Sequence, residues 1–125
     1  MNVNSAKTSF SLFLGACLAC NAFAALTPRA QEEIDHLLGF VEYSGCEFYR
    51  NGAWYDAKRA QAHLRSKYEF RKTSLNAAED FIDTVASRSS MTGEPYRVKC
   101  RLGTPISSEQ WLRDELARMR TKPGV

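Results

Sequence analysis

Residues 46–55, CEFYRNGAWY, decide how this chain folds. Asn51-Gly52 is the favoured pair for a two-residue type I′ turn, because both turn residues must adopt a positive φ. A turn at this position predicts a β-hairpin and fixes the register of its two strands. Side chains alternate along each strand, so Tyr49 and Trp54 are expected to pair across the strands on one face.

Four further segments carry apolar residues at the spacing of an α-helix. They are residues 27–45, 56–70, 76–90 and 107–119. A side chain that can accept from backbone N–H groups begins each one. The expected N-caps are Thr27, Asp56, Asn76 in a capping box with Glu79, and Ser107 or Ser108. Residues 120–125, after the last helix, are expected to fray.

The first 24 residues have the three parts of a secretory signal peptide in the usual order. A short polar start with one charge, Lys7, precedes the apolar stretch FSLFLGACLA at 10–19, and a small-x-small site ends at Ala24. The apolar stretch is shorter than the roughly 20 residues that span a bilayer. We therefore expect cleavage after Ala24, a periplasmic protein without a transmembrane segment, and one domain over residues 25–125.

An alternative processing site lies inside the same leader. The sequence LGAC at 14–17 resembles a lipoprotein box, which would make the protein an envelope lipoprotein anchored through Cys17. Only residues 10–14 would then form the apolar core of the signal, and that is short for such a signal. Simple cleavage is the favoured interpretation.

Two cysteines, Cys46 and Cys100, remain after the leader is removed. An exported protein lies in an oxidising compartment, so the pair predicts one disulfide. Cys100 lies in the alternating segment YRVKCR at 96–101, which is expected to form a third strand with Cys100 on its apolar face. Either edge of the hairpin can accept that strand. The predicted fold is α+β, with about four helices on a three-stranded antiparallel sheet.

Composition and motifs exclude several functional classes. Without Lys7 the chain carries 16 basic and 14 acidic residues, a balance that does not indicate a nucleic-acid binder. Two cysteines with His36 and His63 give no metal-ligand spacing, so no metal and no cofactor are expected. The standard hydrolase, nucleotide and protease motifs are absent from the sequence. Enzymatic activity is uncertain, and its absence is favoured.

Polar side chains near aromatic residues form the candidate site. His63 and Lys67 are four residues apart on the second predicted helix and therefore share one edge of it. Together with the hairpin tip and the loop before the third strand, they are expected to line a shallow groove with donors for a carboxylate, phosphate or sugar. The candidate binding residues are Tyr49, Arg50, Trp54, His63, Lys67, Ser89, Ser90 and Tyr96. A second surface, Arg97, Lys99 and Arg101, is interpreted as a solvated strand face.

Three motifs of the chain resemble a known family. They are C-x-F-x-R-N-G-x-x-Y at 46–55, A-x-x-H-L-x-x-K at 60–67 and S-S-x-x-G-x-P-Y at 89–96. The chain resembles small uncharacterised periplasmic proteins of Gram-negative bacteria, a domain of unknown function. The resemblance implies export and a single domain, and it implies no activity and no functional residues.

The favoured function is a non-catalytic periplasmic binding or interaction module, acting on an envelope component or another protein of unknown identity. The alternatives are a small hydrolase or lyase that uses His63, with Lys67 or Tyr96 as helper, and the lipoprotein anchored through Cys17.

Overall fold

The structure is a computed structural model that describes Gly15 and residues 26–122. The leader expected over residues 1–24, its cleavage after Ala24 and the alternative lipidation at Cys17 lie outside the described residues. In the part that is described, no helix is both long and apolar enough to cross a membrane.

Four helices and four strands make up the described chain, and their order is mixed. In chain order they are α1 Pro28–Tyr43, β1 Glu47–Arg50, β2 Ala53–Asp56, α2 Ala57–Arg71, α3 Ala78–Phe81, β3 Arg97–Lys99, β4 Ile106–Ser107 and α4 Ser108–Thr121. A 3₁₀ turn, Lys72–Ser74, follows α2, and a π-helical turn, Ile82–Ala86, continues α3. The α+β class is confirmed.

The sheet is antiparallel, with strand order β2-β1-β3-β4. The predicted hairpin register is confirmed, since Tyr49 lies opposite Trp54, and both Asn51 (φ 48°) and Gly52 (φ 88°) have the positive φ of a type I′ turn. The third strand joins the β1 edge of the hairpin. The predicted count of three strands is wrong. The fourth strand has only two residues, too few to show alternation, and it is held by backbone pairing to β3.

The helix caps agree with the sequence except at α3. Thr27, Asp56 and Ser107 accept the expected backbone N–H groups of α1, α2 and α4. The predicted cap of Asn76 with Glu79 is wrong. The carboxylate of Asp80 accepts the backbone N–H of Asn76 at 2.8 Å and of Ala77 at 3.1 Å instead. The expected helix over 76–90 is also shorter, because the π-helical turn ends it at Ala86.

The inner face of the sheet packs on the helices through Phe48 and Val98, which are buried in the core. Trp111 of α4 stacks on Phe40 of α1 at 4.4 Å and meets the ring of Phe48 edge-on at 5.5 Å. The other large buried residues are Ile34, Leu37, Leu38, Val41, Leu64, Tyr68, Leu75, Phe81, Ile82, Val85, Leu112 and Leu116. These apolar side chains form one continuous core.

The predicted disulfide between Cys46 and Cys100 is confirmed. It joins the chain just before β1 to the residue just after β3, with 4.3 Å between the Cα atoms. Cys46 is buried and Cys100 is partly buried against the core. The bridge therefore ties two neighbouring strands together at one end of the sheet.

The expectation that residues 120–125 fray is wrong for Arg120 and Thr121, which belong to α4, and residues 123–125 lie outside the described residues. Arg120 belongs to the last turn of α4, and its guanidinium forms two hydrogen bonds, of 2.7 and 3.0 Å, with the carboxylate of Glu33. Glu33 lies on α1 with only 4% of its surface exposed. Arg120 also contacts Glu79 near the start of α3. One arginine thus joins three helices.

Candidate functional site

A basic groove runs along α2, and its shape follows from helical spacing. His63, Lys67 and Arg71 are four residues apart, so they lie on one side of the helix. The groove has a volume of about 370 Å³. We define the basic groove by its lining residues, His63, Ser66, Lys67, Phe70, Arg71 and Ser90. Its far wall is the loop between α3 and β3, which contributes Ser90.

A chain of hydrogen bonds closes the His63 end of the basic groove. Arg50 Nη1 lies 2.9 Å from His63 Nδ1 and 3.2 Å from His63 Nε2, and arginine can only donate. His63 Nε2 also lies 3.3 Å from the Tyr96 hydroxyl oxygen. Arg50 lies over the ring of Tyr55 as well, with 4.6 Å from the guanidinium carbon to the ring centroid. These contacts hold the imidazole between Arg50 and Tyr96.

Lys67 is held at the middle of the basic groove by two acceptors. Its Nζ donates to the hydroxyl oxygen of Tyr96 at 3.1 Å and to the backbone carbonyl of Arg88 at 3.0 Å. A lysine ammonium has three N–H donors, and the described residues accept two of them. The third N–H is available to a ligand in the groove.

Burial and like charge lower the pKa values of two groups in this cluster. Desolvation is the main cause for His63, with the charges of Arg50 and Lys67 adding to it, and its pKa falls to about 4. Desolvation, Arg71 and Arg50 together lower the pKa of Lys67 to about 8. Burial raises the pKa of Tyr96. At pH 7 His63 is therefore neutral, Tyr96 keeps its proton and Lys67 is mostly charged.

Among residues 26–122, the cations of the basic groove have no acidic partner. Within the part of the chain that the structure describes, the ion pairs of lysine and arginine use other residues, namely Arg65, Lys72, Lys99, Arg113, Arg118 and Arg120. None of these ion pairs involves Arg50, Lys67 or Arg71. Arg71 instead donates to the Ser90 hydroxyl at 3.4 Å. The groove thus concentrates positive charge that its own side chains do not neutralise.

The loop between α3 and β3 is fixed to the hairpin tip by Ser89. The buried Ser89 hydroxyl accepts from Asn51 Nδ2 at 3.1 Å and from the backbone N–H groups of Met91 and Thr92 at 3.3 Å. Thr92 donates in turn to Asn51 Oδ1 at 2.8 Å. Ser89 therefore holds the wall of the groove in place and does not face into it.

Tyr49 and Trp54 lie on the outer face of the sheet, away from the basic groove. Their rings pack edge-to-face with 5.5 Å between centroids. Arg97 lies over Tyr49 and Lys99 over Trp54, and the Tyr49 hydroxyl donates to Glu94 at 2.8 Å. Of the eight sequence candidates, the basic groove is lined by three, His63, Lys67 and Ser90, and its His63 end is contacted by Arg50 and the buried Tyr96. Arg101, expected to continue the row of Arg97 and Lys99, lies in the turn after β3 instead.

Sequence reasoning missed three residues of the basic groove, Ser66, Phe70 and Arg71. A signal for Arg71 was present, since extending the four-residue spacing of His63 and Lys67 by one step reaches it. Phe70 carried no such signal, because an aromatic residue near a helix end is usually assigned to the core.

A second recess lies beneath Arg50, between β1, β2 and α2. Its volume is about 30 Å³, enough for one or two water molecules and too small for an organic ligand. Among residues 26–122, no three His, Cys, Asp or Glu side chains converge as the ligands of a metal ion would. Of these two recesses, the basic groove is therefore the one with room for a bound group.

Comparison with known proteins gives one family and one curated relative. A family of unknown function, DUF5329, matches residues 28–120. The chain is 36% identical over 80 residues to the uncharacterized protein YfeK of Salmonella typhimurium, an overlap of 63% of this chain and 67% of the relative. No solved structure matches the chain.

Proposed function

The chain belongs to the DUF5329 family of unknown function, and we propose that it is an exported, non-catalytic module that binds an anionic group of an envelope component in the basic groove. The anionic group is a carboxylate or a phosphate. Donors of the Arg, Lys and hydroxyl types suit both, and charge-assisted hydrogen bonds to an anion are the stronger kind.

The cluster of unpaired cations carries this proposal. Lys67 and Arg71 line the basic groove, Arg50 closes it, and none of the three has a carboxylate partner among the described residues. Burial and the charges of Arg71 and Arg50 lower the pKa of Lys67. An anion in the groove would relieve the repulsion between these cations and accept the remaining N–H of Lys67.

Export is part of the proposal, and two features support it. The leader has the order of a secretory signal, and a disulfide persists in an oxidising compartment such as the periplasm. We expect the protein recovered from the periplasm to begin at Ala25 without a lipid, which intact-mass spectrometry measures. A mass that includes a lipid on Cys17 as the first residue would replace this proposal with the lipoprotein alternative.

We expect Lys67→Met to weaken binding of sulfate or inorganic phosphate at least tenfold in isothermal titration calorimetry. The change removes the central ammonium but keeps the length of the side chain. Hydrogen bonds to a charged group contribute about 1.5–3 kcal/mol, and tenfold corresponds to about 1.4 kcal/mol. Lys72→Met is the matched control, because Lys72 lies just past the same helix, pairs with Glu69 and does not line the groove. It should leave the affinity unchanged.

The pH dependence of sulfate binding provides a second readout for the same variant. Lys67 carries its charge below a pKa of about 8, so the affinity of the wild type should fall as pH rises through 8. No step is expected near the ordinary histidine pKa of about 6.5, because the pKa of His63 is about 4. Lys67→Met should bind weakly with no step at pH 8. Equal sulfate affinity in Lys67→Met and wild type would refute the proposed site.

One observation favours the second candidate, a small hydrolase or lyase that uses His63. A neutral imidazole can act as a general base, and His63 contacts Tyr96, which contacts Lys67. However, Arg50 lies within hydrogen-bond distance of both ring nitrogens of His63, and Tyr96 is buried. Turnover of an ester, phosphoester or glycoside substrate that His63→Ala abolishes would establish the enzyme in place of the binding module.

A further inference from the structure

Two large apolar side chains stand exposed beside the basic groove. Phe70 lines the groove from α2 with 87% of its surface exposed, and Met91, 93% exposed, directly follows Ser90 on the opposite wall. Single apolar side chains are common on protein surfaces, but these two belong to the two sides of a groove that carries unpaired cations. The guanidinium of Arg71 donates to the Ser90 hydroxyl between those two sides.

The combination of cations and apolar side chains fits the chemistry of a membrane surface. Proteins that bind at the lipid–water interface place Phe, Leu or Trp into the headgroup and acyl boundary, and they place Lys and Arg beside anionic headgroups. Lys67 and Arg71 supply the charges here, and Arg88, an exposed residue whose carbonyl binds Lys67, lies on the same loop wall. A free anion would need the cations and would gain nothing from Phe70 and Met91.

We propose that the basic groove binds the phosphate of an anionic phospholipid headgroup while Phe70 and Met91 insert into the membrane surface beside it. This inference rests on the proposed function of the groove and names the source of its anion. The groove is an open depression along α2, so a headgroup can enter it from a flat surface. The contact attaches the folded domain reversibly and needs no transmembrane helix.

The test measures co-sedimentation of the protein with vesicles of two compositions. One set contains phosphatidylcholine alone, and the other contains equal amounts of phosphatidylcholine and phosphatidylglycerol. Mass spectrometry identifies the first residue of every preparation. Only preparations with the same N-terminus are compared, so the leader cannot cause a difference between them. We expect wild-type protein to bind the anionic vesicles at least tenfold more strongly, and added sodium sulfate to release it more effectively than sodium chloride of equal ionic strength.

The variant Met91→Ser separates the membrane from a free anion, because Met91 is not one of the residues that line the basic groove. Met91 is exposed, so the fold should persist, and the affinity for sulfate in solution should stay as in wild type. Binding to anionic vesicles should fall about tenfold or more, because the apolar contact is lost. Leu102→Ser is the matched control, since Leu102 is equally exposed but lies in the turn after β3. It should bind vesicles as wild type does.

The outcomes distinguish the two proposals. Sulfate binding without any preference for anionic vesicles would overturn the lipid inference and leave the anion-binding function standing. Vesicle binding that is unchanged in Met91→Ser would also overturn the inference. Loss of sulfate binding and vesicle binding together in Lys67→Met, with Lys72→Met unaffected, would support both. A wild type that binds neither sulfate nor anionic vesicles would refute both.

Discussion

Replacing Cys46 and Cys100 together by alanine is expected to lower the free energy of unfolding by about 4 kcal/mol. The bridge spans a sequence separation of 54 residues, and closing a loop of that length removes much of the entropy of the unfolded chain. For a domain of this size, 4 kcal/mol corresponds to a fall in midpoint temperature of about 20 °C. Thermal unfolding followed by circular dichroism measures the change.

Reductant supplies the control for the disulfide. It should lower the midpoint of the wild type toward that of the alanine variant, and it should leave the variant itself unchanged. A wild type with two reactive thiols before reduction, or a variant that unfolds at the wild-type temperature, would contradict the assignment of a stabilising bridge.

We expect Arg120→Ala to lower the free energy of unfolding by about 2 kcal/mol. The substitution leaves the carboxylate of Glu33 buried without its partner, and an unpaired buried charge is costly. Arg120 is itself 39% exposed, so water screens part of the interaction, and the effect is smaller than the 3–5 kcal/mol of a fully buried pair. Urea unfolding at pH 7 gives the value.

Arg65→Ala is the matched control for Arg120, because Arg65 pairs with the exposed Asp35 at 3.3 Å. Its effect should stay within about 0.5 kcal/mol. The hydrogen bonds from Arg120 lower the pKa of Glu33, so the pair stabilises the fold above the unfolded pKa near 4.5 and loses that contribution as pH falls through the lowered pKa. The difference between wild type and Arg120→Ala should therefore shrink in acid. Equal losses for both arginine variants at pH 7 would contradict the role given to Glu33.

The candidate site was only partly accessible to sequence reasoning. His63 and Lys67 could be placed together because the helix fixes their spacing, and Arg71 follows by the same rule. Tyr49 and Trp54 were placed correctly as a pair, yet their position away from the groove depends on which face of the sheet the helices cover. Ser89 and Ser90 are adjacent in sequence, but one holds the loop and the other lines the groove. That difference arises from the path of the loop, which carries no periodic signal.

By itself the sequence determined the local structures of this protein: the type I′ hairpin, the caps of α1, α2 and α4, the apolar stripes and the disulfide between two facing cysteines. Each of these features depends on a few neighbouring residues or, for the disulfide, on the number of cysteines, so each can be predicted without knowing the fold. Only the tertiary structure decided which helices Arg120 joins and that a two-residue fourth strand pairs with β3. It also decided that Lys67 and Arg71 line one groove with Ser90, and that no carboxylate is among the described residues that line it. Those outcomes depend on contacts between residues distant in sequence, and the core that brings them together is assembled from every element at once.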